Sequence, residues 1–256
     1  MIAYLQRLGT QSLDYLQVMG HFIIFLSTAI ASIFQRPFRL RALISQIHFI
    51  GVRSIFIIVL TAVFTGMVLG LQGYYTLAGF GSEGFLGSVV ALSVIRELGP
   101  VLAALMVTAR AGSALTTELG IMRIREHLDA LEVMGIDPFN LLIGPRILAG
   151  IIVLPLLTGI FDIIGILGGY LVGVQLLDLS SGVYFGNLEA KVSMHDINLG
   201  IMKSLSFGLI LTWVATYKGY FASRGAEGVG AATTSSVVLS SVLILIWDYL
   251  ITSIML

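Results

Sequence analysis

The stretch SVVALSVIRELGPVLAALMVTAR, residues 88–110, decides the fold. It is almost wholly apolar and long enough for a bilayer core, which takes about 20 mostly apolar residues. Yet Arg96 and Glu97 stand side by side in its middle, followed by Gly99 and Pro100. A charged side chain at the centre of a membrane helix costs about 2.5–3.5 kcal/mol on insertion scales, so it must pair or face a wet cavity. Pro100 has no N–H to give the carbonyl of Arg96 four residues back, so the helix should bend there and the carbonyl should need another donor. The stretch reads as a membrane helix whose charges find partners on other helices.

Composition agrees with that reading. Of 256 residues, 57% are hydrophobic and 11% charged, against roughly 25% charged in a soluble domain. The chain is expected to be an all-α integral membrane protein. A formal net charge of zero gives no basic footprint for nucleic acid. With no cysteine, disulfides, thiolate chemistry and cysteine metal sites are excluded. The start, MIAYLQRLGTQSLDYLQ, has neither the basic opening and small-residue cleavage site of a secretory signal nor the Arg/Ser-rich character of a transit peptide.

Working outward, five segments have the length and apolarity of spans: Ser54–Gln72, Phe85–Ala109 with an extension toward Thr117, Ile147–Leu177, Ile197–Tyr217 and Ser235–Leu256. The stretch Leu13–Phe34 is ambiguous. Its densest part, HFIIFLSTAIASIF, is short for a span and ends before Pro37, which stops a helix. It reads as a helix lying in the membrane interface, with a sixth span as the alternative. The chain divides into an N-terminal interfacial region, 1–46, and a five-span domain, 47–256.

Lys and Arg placement orients the bundle. Of the fourteen, Arg7, Arg36, Arg39, Arg41, Arg53, Arg110, Arg123, Arg125, Arg146, Lys218 and Arg224 collect on one side. Only Lys191 falls on the other, while Arg96 and Lys203 lie inside spans. The positive-inside rule then puts the N-terminus in the cytoplasm and the C-terminus on the far side. Gly66 and Gly70, and Gly165, Gly169 and Gly173, put small residues on one helix face. That permits close helix packing, more readily within one bundle than across a dimer seam.

On the cytoplasmic side, GIMRIREHLDALEVMGIDP (120–138) spaces Ile121, Ile124, Leu128 and Leu131 as one helical face. It predicts a single amphipathic helix over about 120–134, roughly 21 Å long and too polar to span. It either rests on the membrane surface or docks a cytoplasmic partner. The other cytoplasmic loop, GYFASRGAEGVGAATTSS, reads as a flexible turn in which Thr233, Thr234 or Ser235 caps the last helix. No Walker A motif occurs anywhere in the chain.

The ionisable residues inside the spans are Arg96, Glu97, Lys203 and Asp248, with Asp162 as a fifth. Counted from the far-side helix ends at 1.5 Å per residue, Lys203, Asp248 and Arg96 lie roughly 10, 13 and 17 Å deep. They share one layer. Arg96 and Glu97 project about 100° apart and cannot serve each other, so Lys203 and Asp248 are their available partners. Two readings stand: a polar network that holds the bundle together, or a polar girdle around a substrate cavity, which is favoured. The four histidines are scattered without metal spacing, and no nucleophile–base cluster argues for covalent chemistry.

The runs RELGPVLAALMVTARAGSALTTELGIMRIREHLDALEVMGIDP (96–138) and GAEGVGAATTSSVV (225–238) resemble the MlaE family of ABC-transporter permeases, which act in phospholipid traffic between the inner and outer membranes of Gram-negative envelopes. The resemblance covers essentially the whole chain. It implies a transport subunit rather than an enzyme, sited in the inner membrane and serving outer-membrane lipid asymmetry, as a homodimer of five-span subunits with N-terminal interfacial helices. Implied partners are a cytoplasmic ABC ATPase dimer that uses ATP and Mg, a STAS-domain protein, a periplasmic ring of MCE-domain proteins, and a phospholipid substrate. No cofactor is expected in this chain. Residues 120–134 match the family's coupling helix, so Gly120, Met122, Arg123, Arg125, Glu126, Asp129, Leu131 and Met134 are the expected ATPase-coupling residues. Arg96, Glu97, Lys203 and Asp248 match the charged positions of an outward-opening lipid cavity. Two other readings compete with it: an ion-coupled secondary transporter using the intramembrane carboxylates, which lacks an evident inverted repeat, and a lipid-acting intramembrane enzyme, which lacks a catalytic constellation.

Overall fold

The computed structural model describes the backbone of residues 2–34 and 39–255 and, within them, the side chains from Leu16 onward except Val18. Pro37, the expected helix stop, lies outside the described residues. Among those described, every regular element is helical. Five of the described segments are long and apolar enough to cross a membrane: Leu40–Ala78, Glu83–Ile124, Phe139–Leu176, Met194–Tyr220 and Ala226–Met255.

Each span runs past its apolar core. The first combines α2 (Leu40–Ile50), a tight 3₁₀ turn at Val52–Ser54, and α3 (Ile55–Ala78). The expected boundary between residues 46 and 47 therefore falls inside α2. The second is α4 (Leu86–Ser93), a π turn at Val94–Leu98, α5 (Gly99–Val107), a second π turn at Thr108–Gly112, and α6 (Ser113–Ile124). A short α7 (His127–Val133) follows. The third is centred on α8 (Gly144–Tyr170), with Pro155 inside it. Then come α9 (Ser181–Lys191), α10 (Met194–Tyr220) and α11 (Ala226–Met255).

α10 is the central helix. Of its span window 67% is buried, against 11% for α11, which lies on the outside. α3 and α8 cross at their glycines: a Cβ on Gly66 would collide with the carbonyl oxygen of Gly165, and one on Gly70 would stand 2.9 Å from that of Gly169. The expected intramolecular packing is what the glycines do. Gly66→Ala is expected to cost about 1–3 kcal/mol, because a backbone atom cannot step aside cheaply. Gly165→Ala meets the Val94 methyls at 3.3 and 3.6 Å and the Ala62 carbonyl at 3.7 Å, none closer than a tight contact, and should cost markedly less. The detergent-solubilised melting temperatures of the two variants check the difference.

α1 (Ile2–Ile33) is not one of the five spans, and its apolar part, Met19–Ile33, is too short for one. It lies along the bundle. Phe22 stacks on Trp213 with centroids 3.9 Å apart, Trp213 Nε1 donates to the Phe22 carbonyl, and Phe25 and Ala29 pack with Ile143 and Ile147. Its other face leaves Leu16, Met19, Ile23 and Ile24 exposed, an apolar surface that lipid can cover.

Two expectations are corrected. The single helix over 120–134 is two elements: α6 ends at Ile124, the chain turns at Arg125 and Glu126 with Glu126 at φ +59°, and α7 begins at His127. Leu115 and Leu119 are buried on the bundle side of α6, and Leu128 is buried as well. Nine residues at 100° each would put Leu128 on the side opposite Leu119 in one continuous helix. The turn brings both inward. Gly120 lies in the wall of the bundle against Val229 and Ala222. The second correction is the loop before the last helix, since α11 starts at Ala226. Thr233 and Thr234 cap nothing; their hydroxyls donate to the carbonyls of Val229 and Gly230 inside the helix. Small residues that read as a loop in water instead let this helix approach α6 closely.

Candidate functional site

The π turn at Val94–Leu98 carries Arg96 and Glu97. Its Gly99 N–H reaches back to the Val94 carbonyl, and Pro100 supplies no N–H to the turn. The carbonyl of Arg96 is met instead by Lys203 Nζ at 2.9 Å. The expected external donor is thus a lysine from the central helix.

Lys203 is wholly buried and forms the hub of the site. Its ammonium lies 2.5 Å from Glu97 Oε2 and 2.8 Å from Asp248 Oδ1. The contact with Asp248 is an ion pair outside hydrogen-bonding angles. A buried ammonium is tolerable only when oxygens surround it, and here two helices supply three: the Arg96 carbonyl and Glu97 from the π turn, and Asp248 from α11. Thr252, one turn beyond Asp248 on α11, donates to Glu97 Oε1 at 3.2 Å.

Arg96 takes a different partner from those expected. Its Nε and a terminal nitrogen both lie 2.6 Å from Oδ1 of Asp196. Asp196 sits in the first turn of α10. Its Oδ2 accepts from the Ser193 N–H at 2.8 Å and the Ser193 hydroxyl at 2.9 Å, closing a capping box. Sequence reading placed Asp196 just outside the span and passed over it, and it passed over Thr252 too. The findable signal was Ser193-x-x-Asp196, a capping-box spacing. Asp196 and Lys203 are seven residues apart and so share a face of α10.

The layer therefore sets two cations against three carboxylates. Its members differ in exposure: Lys203 0%, Asp196 1% and Asp248 18%, but Arg96 33% and Glu97 38%. Adjacent in sequence, Arg96 and Glu97 present opposite charges to open space while their buried partners hold them from behind.

Asp162 stands apart from this network. Its carboxyl fills the space beside Gly99, where a Cβ would collide with Oδ1, and that oxygen has no hydrogen-bond partner. With the unpaired Thr158 hydroxyl it borders a cavity of about 370 Å³, walled by Ile95, Pro155, Ile163 and Ile201.

At the other end of the bundle, α7 is fastened to α6 and α10. Arg123 pairs with Asp129 at 2.5 Å and lies 5.9 Å from the Tyr220 ring centroid, and the Tyr220 hydroxyl donates to Glu132 Oε1 at 3.1 Å. Arg125, Glu126 and Asp129 are exposed, as are Val133 (89%) and Met134 (63%). Met122, Arg123 and Leu131 are half-buried, and Gly120 offers no surface. Buried Leu128 is the anchor. Between α6 and the start of α8, Arg146 is buried and paired with Glu118 at 3.0 Å.

Residues 43–254 match the family described as Permease MlaE. The chain is 42% identical over 255 residues to the Intermembrane phospholipid transport system permease protein MlaE of Haemophilus influenzae, covering 99% of this chain and 98% of that one. It is 43% identical over 244 residues to a Probable ABC transporter permease protein of Rickettsia felis, covering 95% and 94%. To the chloroplastic Protein TRIGALACTOSYLDIACYLGLYCEROL 1 of Arabidopsis thaliana it is 34% identical over 213 residues, covering 83% of this chain and 61% of that one.

Proposed function

The chain belongs to the MlaE permease family, and from that premise we propose that it is the membrane subunit of an ATP-driven transporter moving phospholipid between the inner and outer membranes. The observation that carries this reading is the near-full-length match to a phospholipid transport permease. The geometry supports it. A headgroup entering the open space beside Arg96 and Glu97 meets one cation and one carboxylate, each held from behind by a buried partner, which suits a group bearing phosphate. The subunit is placed in the inner membrane with α7 in the cytoplasm and α9 in the periplasm, as the arginine asymmetry favours. The barely buried α11 offers an apolar face for a second copy. ATP and Mg belong to a separate ATPase dimer, and STAS- and MCE-domain proteins complete the assembly.

In this reading α7 receives the push of the ATPase. Its exposed Glu126, Asp129, Val133 and Met134 form the contact, while Leu128 and the Glu132–Tyr220 hydrogen bond pass the motion to α10. Lys203 lies seventeen residues, about 26 Å, along that helix. Leu128→Ala removes a buried anchor worth about 2–5 kcal/mol. It is expected to lower lipid transfer at least tenfold while ATP hydrolysis by the assembled complex persists. A parallel fall of both rates would take α7 out of the coupling path.

The whole reading is tested with the complex purified from native membranes and reconstituted with labelled phospholipid. Transfer is expected to require hydrolysable ATP. Transfer that ignores nucleotide but collapses with the proton gradient would return the intramembrane carboxylates to ion coupling.

A further inference from the structure

Phe49, at the end of α2, lies against two arginines. The guanidinium carbon of Arg53 is 5.5 Å from its ring centroid and that of Arg110 is 5.1 Å. Stacking on one ring stabilises each cation modestly, but it also holds two like charges together. Among the described residues neither arginine pairs with a carboxylate. Arg110 is half-buried and fixed: one terminal nitrogen donates to the Phe49 carbonyl and approaches the Ser54 hydroxyl at 3.4 Å. The pole of α2's dipole accounts for part of that placement. A guanidinium has five N–H donors, so Nε and the second terminal nitrogen of Arg110 are left over. Arg53 is exposed and makes no hydrogen bond among the described residues.

Depth identifies the anion. α3 has 24 residues and spans about 36 Å, enough to fill a hydrocarbon core of about 30 Å. Arg53, two residues before it, stands at the headgroup level. Arg110 is fourteen residues beyond Arg96, about 21 Å further along the span, and its contacts with Phe49 and Ser54 put it at that same level. Lipid phosphodiesters are the anions found at that depth.

We propose that Arg53 and Arg110, set on Phe49, form a binding site for the phosphate of an anionic phospholipid in the leaflet opposite the Arg96–Glu97 layer. Arg110 is the fixed half of the site, and the exposed Arg53 closes over the bound phosphate. Two charge-assisted contacts of this kind recognise the phosphate whatever the acyl chains. The site stands independently of transport and of which way the chain is inserted, because both leaflets carry phosphodiesters.

The test is native mass spectrometry of the full chain in neutral detergent, titrated with phosphatidylglycerol and, as an uncharged reference, diacylglycerol. Arg53→Gln breaks no hydrogen bond within the protein and so keeps the fold. It is expected to weaken one phosphatidylglycerol per chain about tenfold, and Arg53→Gln with Arg110→Gln to remove it, with diacylglycerol unaffected. Repeating the titration on Arg96→Gln should leave this lipid in place, which separates it from any lipid at the charge layer. Unchanged phosphatidylglycerol counts in the double variant would overturn the site. Displacement of that lipid by millimolar inorganic phosphate would overturn its assignment to a lipid and leave a free-phosphate site.

Discussion

Lys203→Met is expected to cost the folded chain about 3–5 kcal/mol and to abolish lipid transfer. The ammonium it removes has no exposure and stands among Glu97, Asp248 and the carbonyl of Arg96. Methionine fills a similar volume but satisfies none of those oxygens. Two carboxylates then share a cavity without a cation, and the carbonyl freed by Pro100 is orphaned at the π turn. Deleting one partner of a buried pair leaves the other's desolvation uncompensated, and here two partners are left. Adding Glu97→Gln and Asp248→Asn to Lys203→Met removes the stranded charges, so much of the lost stability should return. Transfer should not return with it, because the charged face at residue 97 is gone. Melting temperature in detergent and reconstituted transfer report the two effects separately. A single variant that melts like the parent would show that the hub does not hold spans two, four and five together.

The layer was legible in sequence because depth along a helix is a residue count. Three spans with identifiable far-side ends place Arg96, Lys203 and Asp248 at similar depth without any structure, and Lys203 does meet Glu97 and Asp248. The same count hid Asp196. A carboxylate one residue outside an apolar run is scored as loop, although the helix it caps begins at Met194. Arg96 stands in a π turn and pairs with Asp196 in α10's first turn, and the extra residue of such a turn breaks the 3.6-residue phase by which a partner would be assigned. No period in the sequence announces that insertion. The break between α6 and α7 was missed for a related reason. Ile121, Ile124, Leu128 and Leu131 fit one helical face, and only the burial of Leu115 and Leu119 shows that the bundle lies on a different side. The early start of α11 was lost because glycine and small residues signal a loop beside water and a contact face inside a membrane bundle. The five spans survived all of this, since apolar length alone specifies them.

Arg96→Gln is expected to separate the two readings that sequence left open, a wall brace or a lipid contact. If the residue were chiefly a brace, its loss would strand Asp196 in the core, and the fold would suffer as with Lys203. Asp196, however, keeps two hydrogen bonds from Ser193 at 2.8 and 2.9 Å. Those bonds and the N-terminal dipole of α10 continue to stabilise its charge, and glutamine can still donate to Oδ1. The stability cost should therefore stay near 1–2 kcal/mol, in the range of one charge-assisted hydrogen bond. Transfer should fall much further. A third of the Arg96 side chain is exposed, and it is the only cation of the layer that a headgroup phosphate can reach, since Lys203 is sealed behind Glu97 and Asp248. Loss of a charged contact to phosphate is worth about 2–3 kcal/mol, a drop of roughly 30- to 150-fold in transfer. Asp196→Ala supplies the contrasting case. It leaves the arginine present but unanchored and removes the cap of α10, so stability should fall more than in Arg96→Gln and transfer less. Reconstituted transfer rates set beside melting temperatures for the two variants decide the matter. Equal ranking of both quantities would make Arg96 a brace, and opposite ranking makes it the group that touches the lipid.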